Sequence, residues 1–382
     1  MLTMQEETIR LAVLQRVCPE YRAVLFQRLA ADSGTELRLF IGDDIPNSKV
    51  RSAKEIPGVD YLKLPTGFIR LRGKVLINHR RLVARLAEFA PQVIITEGES
   101  NLLSMFKALW YRRRHQGVKV IHWSLGGVPG KRQTSIRRFM LSQLRKRFDG
   151  FIVYSSFGRD ILVEQGISAQ KITVATNVSD VERHLSNYQA FTRPRSAIRK
   201  QLGLPAGFQL IYVGAIERNK RLDLLLDLAR QLRDADIHFI VIGDGLEYQN
   251  ISETVETEGL ENVLLLGRRT EGLDEYFYCS DAMILPGRGG MVISEAMAYR
   301  LPVILHQADG TEYDLVKNGI TGVRLENGST EEFVQAILEF STDGNRSIEC
   351  GLSGQELLKN NYQMAIMSQR ITESVHTVLT ET

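Results

Sequence analysis

Short β-branched runs alternate with amphipathic helical segments along nearly the whole chain, and the pattern runs through twice. In the first half the strand-like runs fall at 9–15, 35–42, 59–64, 92–98, 118–124, 150–156 and 172–177, with helical segments at 21–32, 76–90, 102–117 and 135–148. Within "LVARLAEFA" the apolar residues recur at three- and four-residue spacing, the helical period. Residues 178–206 are polar, contain Pro194 and Pro205, and read as a linker with one short helix. The alternation restarts with strands at 208–214, 237–245, 262–267, 281–287, 302–306 and 322–325. Its helices are at 220–234, 247–259, 273–280, 293–300 and 330–341. Strands that are apolar throughout must be covered on both faces, which selects parallel sheets flanked by helices.

A chain of 382 residues accommodates two such cores. The expected fold class is therefore α/β, with two Rossmann-like domains. The first covers 1–178, residues 179–206 link, and the second covers 207–355. After a break at "DGNRSIECG", a last helix within 356–382 is expected to pack back on the first domain.

No apolar run approaches the roughly 18 residues that a membrane span requires. The first ten residues carry two acids and no apolar core, unlike a signal peptide, so a cytoplasmic setting is expected. Cys18, Cys279 and Cys350 are odd in number and far apart; they read as buried thiols in a reducing compartment. Net charge is only +3, yet residues 1–200 hold 34 Lys and Arg against 17 Asp and Glu, and the remainder holds 14 against 28. Such a split fits either a basic domain that meets an anionic surface or two domains of unlike surface.

The basic charge peaks at 131–147: Lys131, Arg132, Arg137, Arg138, Arg145, Lys146 and Arg147. Ile136, Phe139, Met140 and Leu144 share one helical face there. A basic amphipathic helix can lie in an anionic membrane interface, peripheral to the inner face of the plasma membrane. Equally, the apolar face can pack on its own sheet. Nucleic acid is not expected as a partner, because no recognised motif or aromatic interleaving accompanies the charge.

Chemistry concentrates where the second set of strands ends. Gly214 closes one strand, Gly243-Asp244-Gly245 a second, and Pro286-Gly287-Arg288-Gly289-Gly290 a third. Ligands of open α/β sheets bind at these carboxyl ends. Glycine permits close backbone approach, and helix N-termini present free N–H groups to anions. Glu295 falls on the helix after the third loop, where a carboxylate can accept two hydroxyl hydrogen bonds, as a ribose diol requires. Lys220 opens a helix six residues after Gly214, with Arg218 just before it, within reach of a diphosphate. The Asp234-Ala-Asp236 pattern lies where a helix gives way to a strand and reads as structural.

The segments "IYVGAIERNKRLDLLL", "VIGDGLE", "NVLLLGR", "DAMILPGRGGMVISEAMAYRLPVI" and "DGTEYDLVKNGITGVRL" resemble, in order and spacing, the second domain of retaining GT-B glycosyltransferases of family 4. The first half resembles the family more loosely, through Pro19 to Arg22 and "IVYSSFGRDILVEQGISAQKITVATNVSD". The resemblance implies two Rossmann-like domains facing across a cleft. It further implies transfer of a sugar from a UDP- or GDP-sugar to a glycan or lipid-linked acceptor, without a cofactor or a metal.

By the same resemblance Lys220, with Arg218, contacts the donor diphosphate and Glu295 the ribose. Gly287, Gly289, Gly290, Met291 and Val292 meet the donor sugar and phosphate, Arg268 lies by the base, and Gly214, Gly243 and Gly245 complete the pocket. On the acceptor side Tyr21, Arg22, Glu97, Glu99 and His122 are candidates, His122 and Glu97 for a catalytic role. Two positions depart from the family: Gly287 stands where a Glu is usual, and Ala215 where an Arg is usual. A non-catalytic nucleotide-sugar-binding protein and a nucleotide-sugar epimerase are the alternatives.

Overall fold

The structure, a computed structural model, describes residues 8–46, 50–71, 74–98, 102–130 and 135–380. The chain divides into two compact units, one of 1–127, 131–176 and 364–382 and the other of 128–130 and 177–363.

The first unit runs β1 (Ile9–Gln15), α1 (Glu20–Ala30), β2 (Thr35–Gly42), β3 (Asp60–Leu64), β4 (Thr66–Leu71), β5 (Lys74–His79), α2 (Leu82–Phe89), β6 (Val93–Glu97), α3 (Ser104–Arg114), β7 (Lys119–Ser124), α4 (Ser135–Arg145), β8 (Gly150–Val153), α5 (Ser156–Glu164) and β9 (Ile172–Val174). Its seven-stranded sheet has the order β3-β2-β1-β6-β7-β8-β9 and is parallel throughout. In β1 every residue but Arg10 is buried, as a strand covered on both faces requires.

One helix expected at 76–90 is only half a helix. Residues 74–79 instead form β5, antiparallel to β4, and Arg81 adopts a left-handed φ of 58° before α2 begins. The β-branched Val75 and Ile77 favour the extended chain there.

The second unit runs α6 (Val181–Ala190), α7 (Arg195–Leu202), β10 (Phe208–Val213), α8 (Leu222–Gln231), β11 (Ile237–Ile242), α9 (Tyr248–Glu258), β12 (Val263–Leu265), α10 (Leu273–Cys279), β13 (Ala282–Leu285), α11 (Met291–Ala298), β14 (Val303–Leu305), α12 (Glu312–Leu315), β15 (Gly322–Arg324), α13 (Thr330–Thr342) and α14 (Gly344–Asn361). Its sheet is parallel, in the order β12-β11-β10-β13-β14-β15.

Two segments differ from the sequence expectation. The linker at 178–206 contains two helices, α6 and α7, whose Val181, Leu185 and Ile198 lie in the second unit's core. The break at "DGNRSIECG" is the first half of α14. Gly351 is needed there because a Cβ would overlap the carbonyl oxygen of Arg300. The final helix, α15 (Met364–Thr380), belongs to the first unit, where Met364, Met367, Ile371, Val375 and Val378 are buried. All three cysteines are buried free thiols. Among the described residues no helix is long and apolar enough to cross a membrane.

Candidate functional site

Strand order locates a crevice in each sheet. In the second unit β10 is followed in sequence by β11 on one side, while β13 pairs with it on the other. Successive connections leave in opposite directions at β10/β13, and this switch point is where open sheets accept ligands. Lys220 follows β10, and the 286–290 loop follows β13. Both therefore arrive at the same place because of topology, although 66 or more residues separate them in sequence.

The two loops touch through backbone. The Arg288 N–H donates to the Asn219 carbonyl at 3.1 Å, and Lys220 Nζ donates to the Arg288 carbonyl at 2.5 Å. A Cβ on Gly287 would lie 2.5 Å from the Lys220 carbonyl carbon and 2.6 Å from the Asn219 oxygen. No side chain fits at 287 without separating the loops, which explains physically why this chain lacks an acid there. Lys220 is half-buried. Burial pulls its pKa below the usual lysine range, opposed by Glu217 and Asp309 and assisted by Arg288. Arg218 is exposed on the same short 3₁₀ turn, and the Ala215 carbonyl accepts the Tyr212 hydroxyl at 2.8 Å.

Other glycines knit neighbouring loops. A Cβ on Gly243 would overlap the Gly214 carbonyl oxygen, and one on Gly245 the Ile216 oxygen. The Gly243 N–H donates to Gly267 at 2.9 Å, which carries the neighbouring loop to the exposed Arg268. Asp234 and Asp236 precede β11 and thus lie at the opposite end of that strand from Gly243, with Asp236 Oδ1 3.3 Å from His238 Nε2.

Helix α11 starts after Gly290, which supplies no side-chain cap, so its first N–H groups at Met291 and Val292 face the loop. Glu295 lies on its next turn, half-buried, and no hydrogen bond to its carboxylate occurs among the described residues. Burial pushes its pKa up, with His184 and Arg183 opposing and Asp274 adding. The helix is held from behind by polar contacts. Ser294 Oγ lies 3.0 Å from both the nitrogen and Oγ of Ser179, and Asp274 accepts from Tyr299 Oη at 2.5 Å and Asn187 Nδ2 at 2.9 Å.

Asp274 also lies 3.6 Å from His184 Nδ1, and the His184 and Tyr299 contacts hold its pKa at about 2, below the ordinary 3.8. A carboxyl with a lowered folded pKa contributes stability that is present above its unfolded value and lost as pH falls through the folded one. Asp274→Asn should therefore flatten the acid limb of the stability profile between about pH 4 and pH 2. The expected cost at neutral pH is about 1–2 kcal/mol after allowance for solvent screening. Chemical denaturation across that range checks it; an unaltered acid limb removes the network.

Sequence reasoning passed over two acids after β14. Glu312 is fully buried and accepts the N–H groups of Ala308 at 2.9 Å and Gly310 at 2.6 Å, which fixes the loop. Asp309 is held by Thr311 Oγ1 at 2.6 Å and Thr311 N at 3.2 Å, both to Oδ1. Its Oδ2 borders Gly290, where a Cβ would overlap it. A glycine loop is conspicuous in sequence; an Asp in "HQADGTEYD" resembles a turn residue.

In the first unit the switch point is β1/β6. Glu97 ends β6 and accepts the Arg16 backbone N–H at 2.9 Å and its guanidinium at 2.6 Å. His122 is buried against Phe148 and Phe151, and its ring occupies the space a Cβ on Gly98 would need. Burial and the neighbouring Arg145 pull its pKa down to about 3. Its ring is thus in the interior, neutral at physiological pH. Arg22 stacks on Trp123 and Tyr154, and Tyr21 is exposed. Glu99 lies outside the described residues, as do Lys131, Arg132 and the side chains of 135–139. Arg145 is buried and donates to the Gly126 carbonyl at 3.3 Å, so it cannot form part of an exposed basic face. Leu144 packs on the core, while Met140, Lys146 and Arg147 are exposed.

Residues 194–356 match the family described as glycosyl transferases group 1, and residues 23–183 match Glycosyltransferase Family 4. Between them the two matches cover most of the chain, which is thus similar to glycosyltransferases in both of its units. HepE of Anabaena, solved in complex with UDP, shares this fold at a TM-score of 0.73 and 19% identity over 97% of this chain and 100% of that one. An uncharacterized glycosyltransferase of Methanocaldococcus jannaschii is 28% identical over 165 residues, covering 42% of this chain and 46% of its own length. The N-acetyl-alpha-D-glucosaminyl L-malate synthase of Bacillus anthracis is 25% identical over 194 residues, 49% of each. The chain thus spans about half or less of the length of the first curated relatives it matches.

Proposed function

We propose that this protein is a retaining, metal-independent glycosyltransferase that moves a sugar from a UDP- or GDP-sugar to a glycan or lipid-linked acceptor in bacterial polysaccharide or glycolipid synthesis. One observation carries the reading. At the switch point of the second sheet, Gly287 lets the 286–290 loop pack on the Lys220 backbone, the Lys220 ammonium donates to the Arg288 carbonyl, and the same loop opens α11, which has no side-chain cap and carries Glu295 on its next turn. HepE has been solved in complex with UDP, with UDP and glucose, and with UDP-glucose, which supports a nucleotide-sugar donor.

In the proposed step the bond between the sugar C1 and the β-phosphate oxygen breaks, and the acceptor oxygen bonds to C1 on the same face. The acceptor proton passes to the departing phosphate oxygen. Lys220, Arg218 and the N–H groups of Met291 and Val292 stabilise the charge that grows on the diphosphate. Glu295 takes the ribose hydroxyls. Gly214, Gly243, Gly245, Gly267 and Arg268 form the wall beside the base.

Purified protein incubated with UDP- and GDP-sugars should release the nucleotide and yield product with the anomeric configuration of the donor. Inverted product would overturn the retaining step, and a failure to bind any nucleotide would overturn the whole reading. Glu295→Gln should weaken nucleotide binding by about 1–3 kcal/mol, since charge-assisted hydroxyl bonds become neutral ones. Calorimetry with UDP and GDP measures this, and unchanged affinity takes Glu295 out of the site.

The first unit is proposed to meet an anionic membrane carrying the acceptor. Support comes from its charge and from α3, where Phe106 and Trp110 are exposed one turn apart beside Arg113 and Arg114, the last stacked 4.2 Å over the Trp110 ring. Exposed aromatics with basic neighbours suit a headgroup region. Vesicles containing anionic lipid should sediment the protein at low salt and release it at high salt. Replacing Arg113, Arg114, Lys146 and Arg147 by Gln should abolish that. Wild-type protein that stays in the supernatant at low salt would direct attention to a soluble acceptor.

A further inference from the structure

We infer that Asp309 selects the donor by accepting a hydroxyl of the transferred sugar, taking over at the end of β14 the place in the pocket where Gly287 allows no side chain. The inference rests on the donor reading above and assigns the sugar, rather than the nucleotide, to this carboxylate.

The loop that bears Asp309 is built to present one oxygen. Below it, the buried Glu312 ties down the N–H groups of Ala308 and Gly310. Beside it, the buried Thr311 occupies Oδ1 with two hydrogen bonds. What remains is Oδ2. It lies against Gly290, the residue that opens α11, and no hydrogen bond from another described residue reaches it. β14 is the neighbour of β13 in the sheet, so the loops after these strands are adjacent by topology. Lys220 is close enough for its charge and that of Asp309 to act on each other, but not close enough to form an ion pair. The carboxylate therefore borders the proposed diphosphate position without closing it.

A carboxylate beside a bound diphosphate raises an electrostatic problem. Two anions in a half-buried pocket repel, so Asp309 would weaken nucleotide binding unless the ligand brings a donor to Oδ2. A diphosphate has no such group and a hexose has several. Burial also raises the Asp309 pKa, the direction expected of an acid awaiting a hydrogen-bond partner. The arrangement accordingly favours the complete nucleotide sugar over the free nucleotide.

The experiment separates these two ligands. Wild-type protein, Asp309→Asn and Asp309→Ala are titrated calorimetrically with UDP, GDP, UDP-glucose, UDP-galactose, UDP-N-acetylglucosamine and GDP-mannose. Hydrolysis of the best donor is followed alongside. Both variants should keep or improve affinity for the free nucleotide, by up to several-fold. They should lose about tenfold or more in affinity for the preferred nucleotide sugar and about 10- to 100-fold in kcat/KM, the range of a lost charged hydrogen bond. Asn should retain more than Ala. A parallel fall for nucleotide and nucleotide sugar would make Asp309 a support of the pocket, and unchanged values for both would place it outside; either overturns the inference. Should wild-type protein bind none of the six, the donor reading itself fails, and this inference with it. Thr311→Val, which frees Oδ1, serves as the orientation control and should lower kcat/KM for the sugar donor while leaving nucleotide affinity intact.

Discussion

Lys220→Ala should reduce transfer by about 10²-fold or more while the protein remains folded, the loss typical of removing one charge contact from a transition state. The ammonium sits where two backbone segments meet and donates to the Arg288 carbonyl. It is half-buried, so its removal deletes a charge beside the proposed diphosphate site with little change to the core. Turnover assays paired with thermal denaturation separate the two effects. Near wild-type turnover would exclude Lys220 from the chemistry, and a large drop in Tm would mean that its contact to the 286–290 loop is chiefly structural.

Gly287→Ala should be strongly disruptive, because it parts the two loops that meet at the second unit's switch point. The added carbon would meet the Lys220 carbonyl group and the Asn219 oxygen, which are backbone atoms and cannot rotate away. Overpacking of this kind costs about 1–3 kcal/mol, and the relief available is to part the loops after β10 and β13. Nucleotide affinity should fall with stability, because both walls of the proposed diphosphate site move. Restoring the family's usual acid by Gly287→Glu should be worse still. Recovery of higher activity in Gly287→Glu would show that the loops tolerate a side chain and that this account of the glycine is wrong.

The parallel sheets were legible because their strands are apolar on both faces, a pattern that few other structures produce. Where residues satisfied two periods, the sequence was ambiguous. Leu76, Ile77, Leu82 and Leu86 permit one long amphipathic helix, and only the left-handed turn at Arg81 divides them into a strand and a helix. In 178–206 the prolines outweighed Val181, Leu185 and Ile198, although Pro194 acts as an N-cap for α7 and does not interrupt it. The glycines of the site stood out because close backbone approach admits no other residue. His122 could not be placed from sequence, since a ring beside Phe148 and Phe151 looks the same in one dimension as a ring facing solvent. Asp309 was hidden for a different reason: its significance comes from Gly290, on the loop after a neighbouring strand.

The placement of α15 has a consequence for biosynthesis. A chain leaves the ribosome from its N-terminus, and domains made first generally fold first. Here the seven strands of the first unit emerge early, yet Met364, Met367, Ile371, Val375 and Val378, which cover part of its sheet, are made only after the whole of the second unit. The second unit, encoded in one uninterrupted stretch from 177 to 363 apart from three residues, can complete its core while the first still exposes an apolar strip. Of the two units, the one begun first is thus completed second, and until 364–382 is made its uncovered face is an apolar surface of the kind chaperones bind.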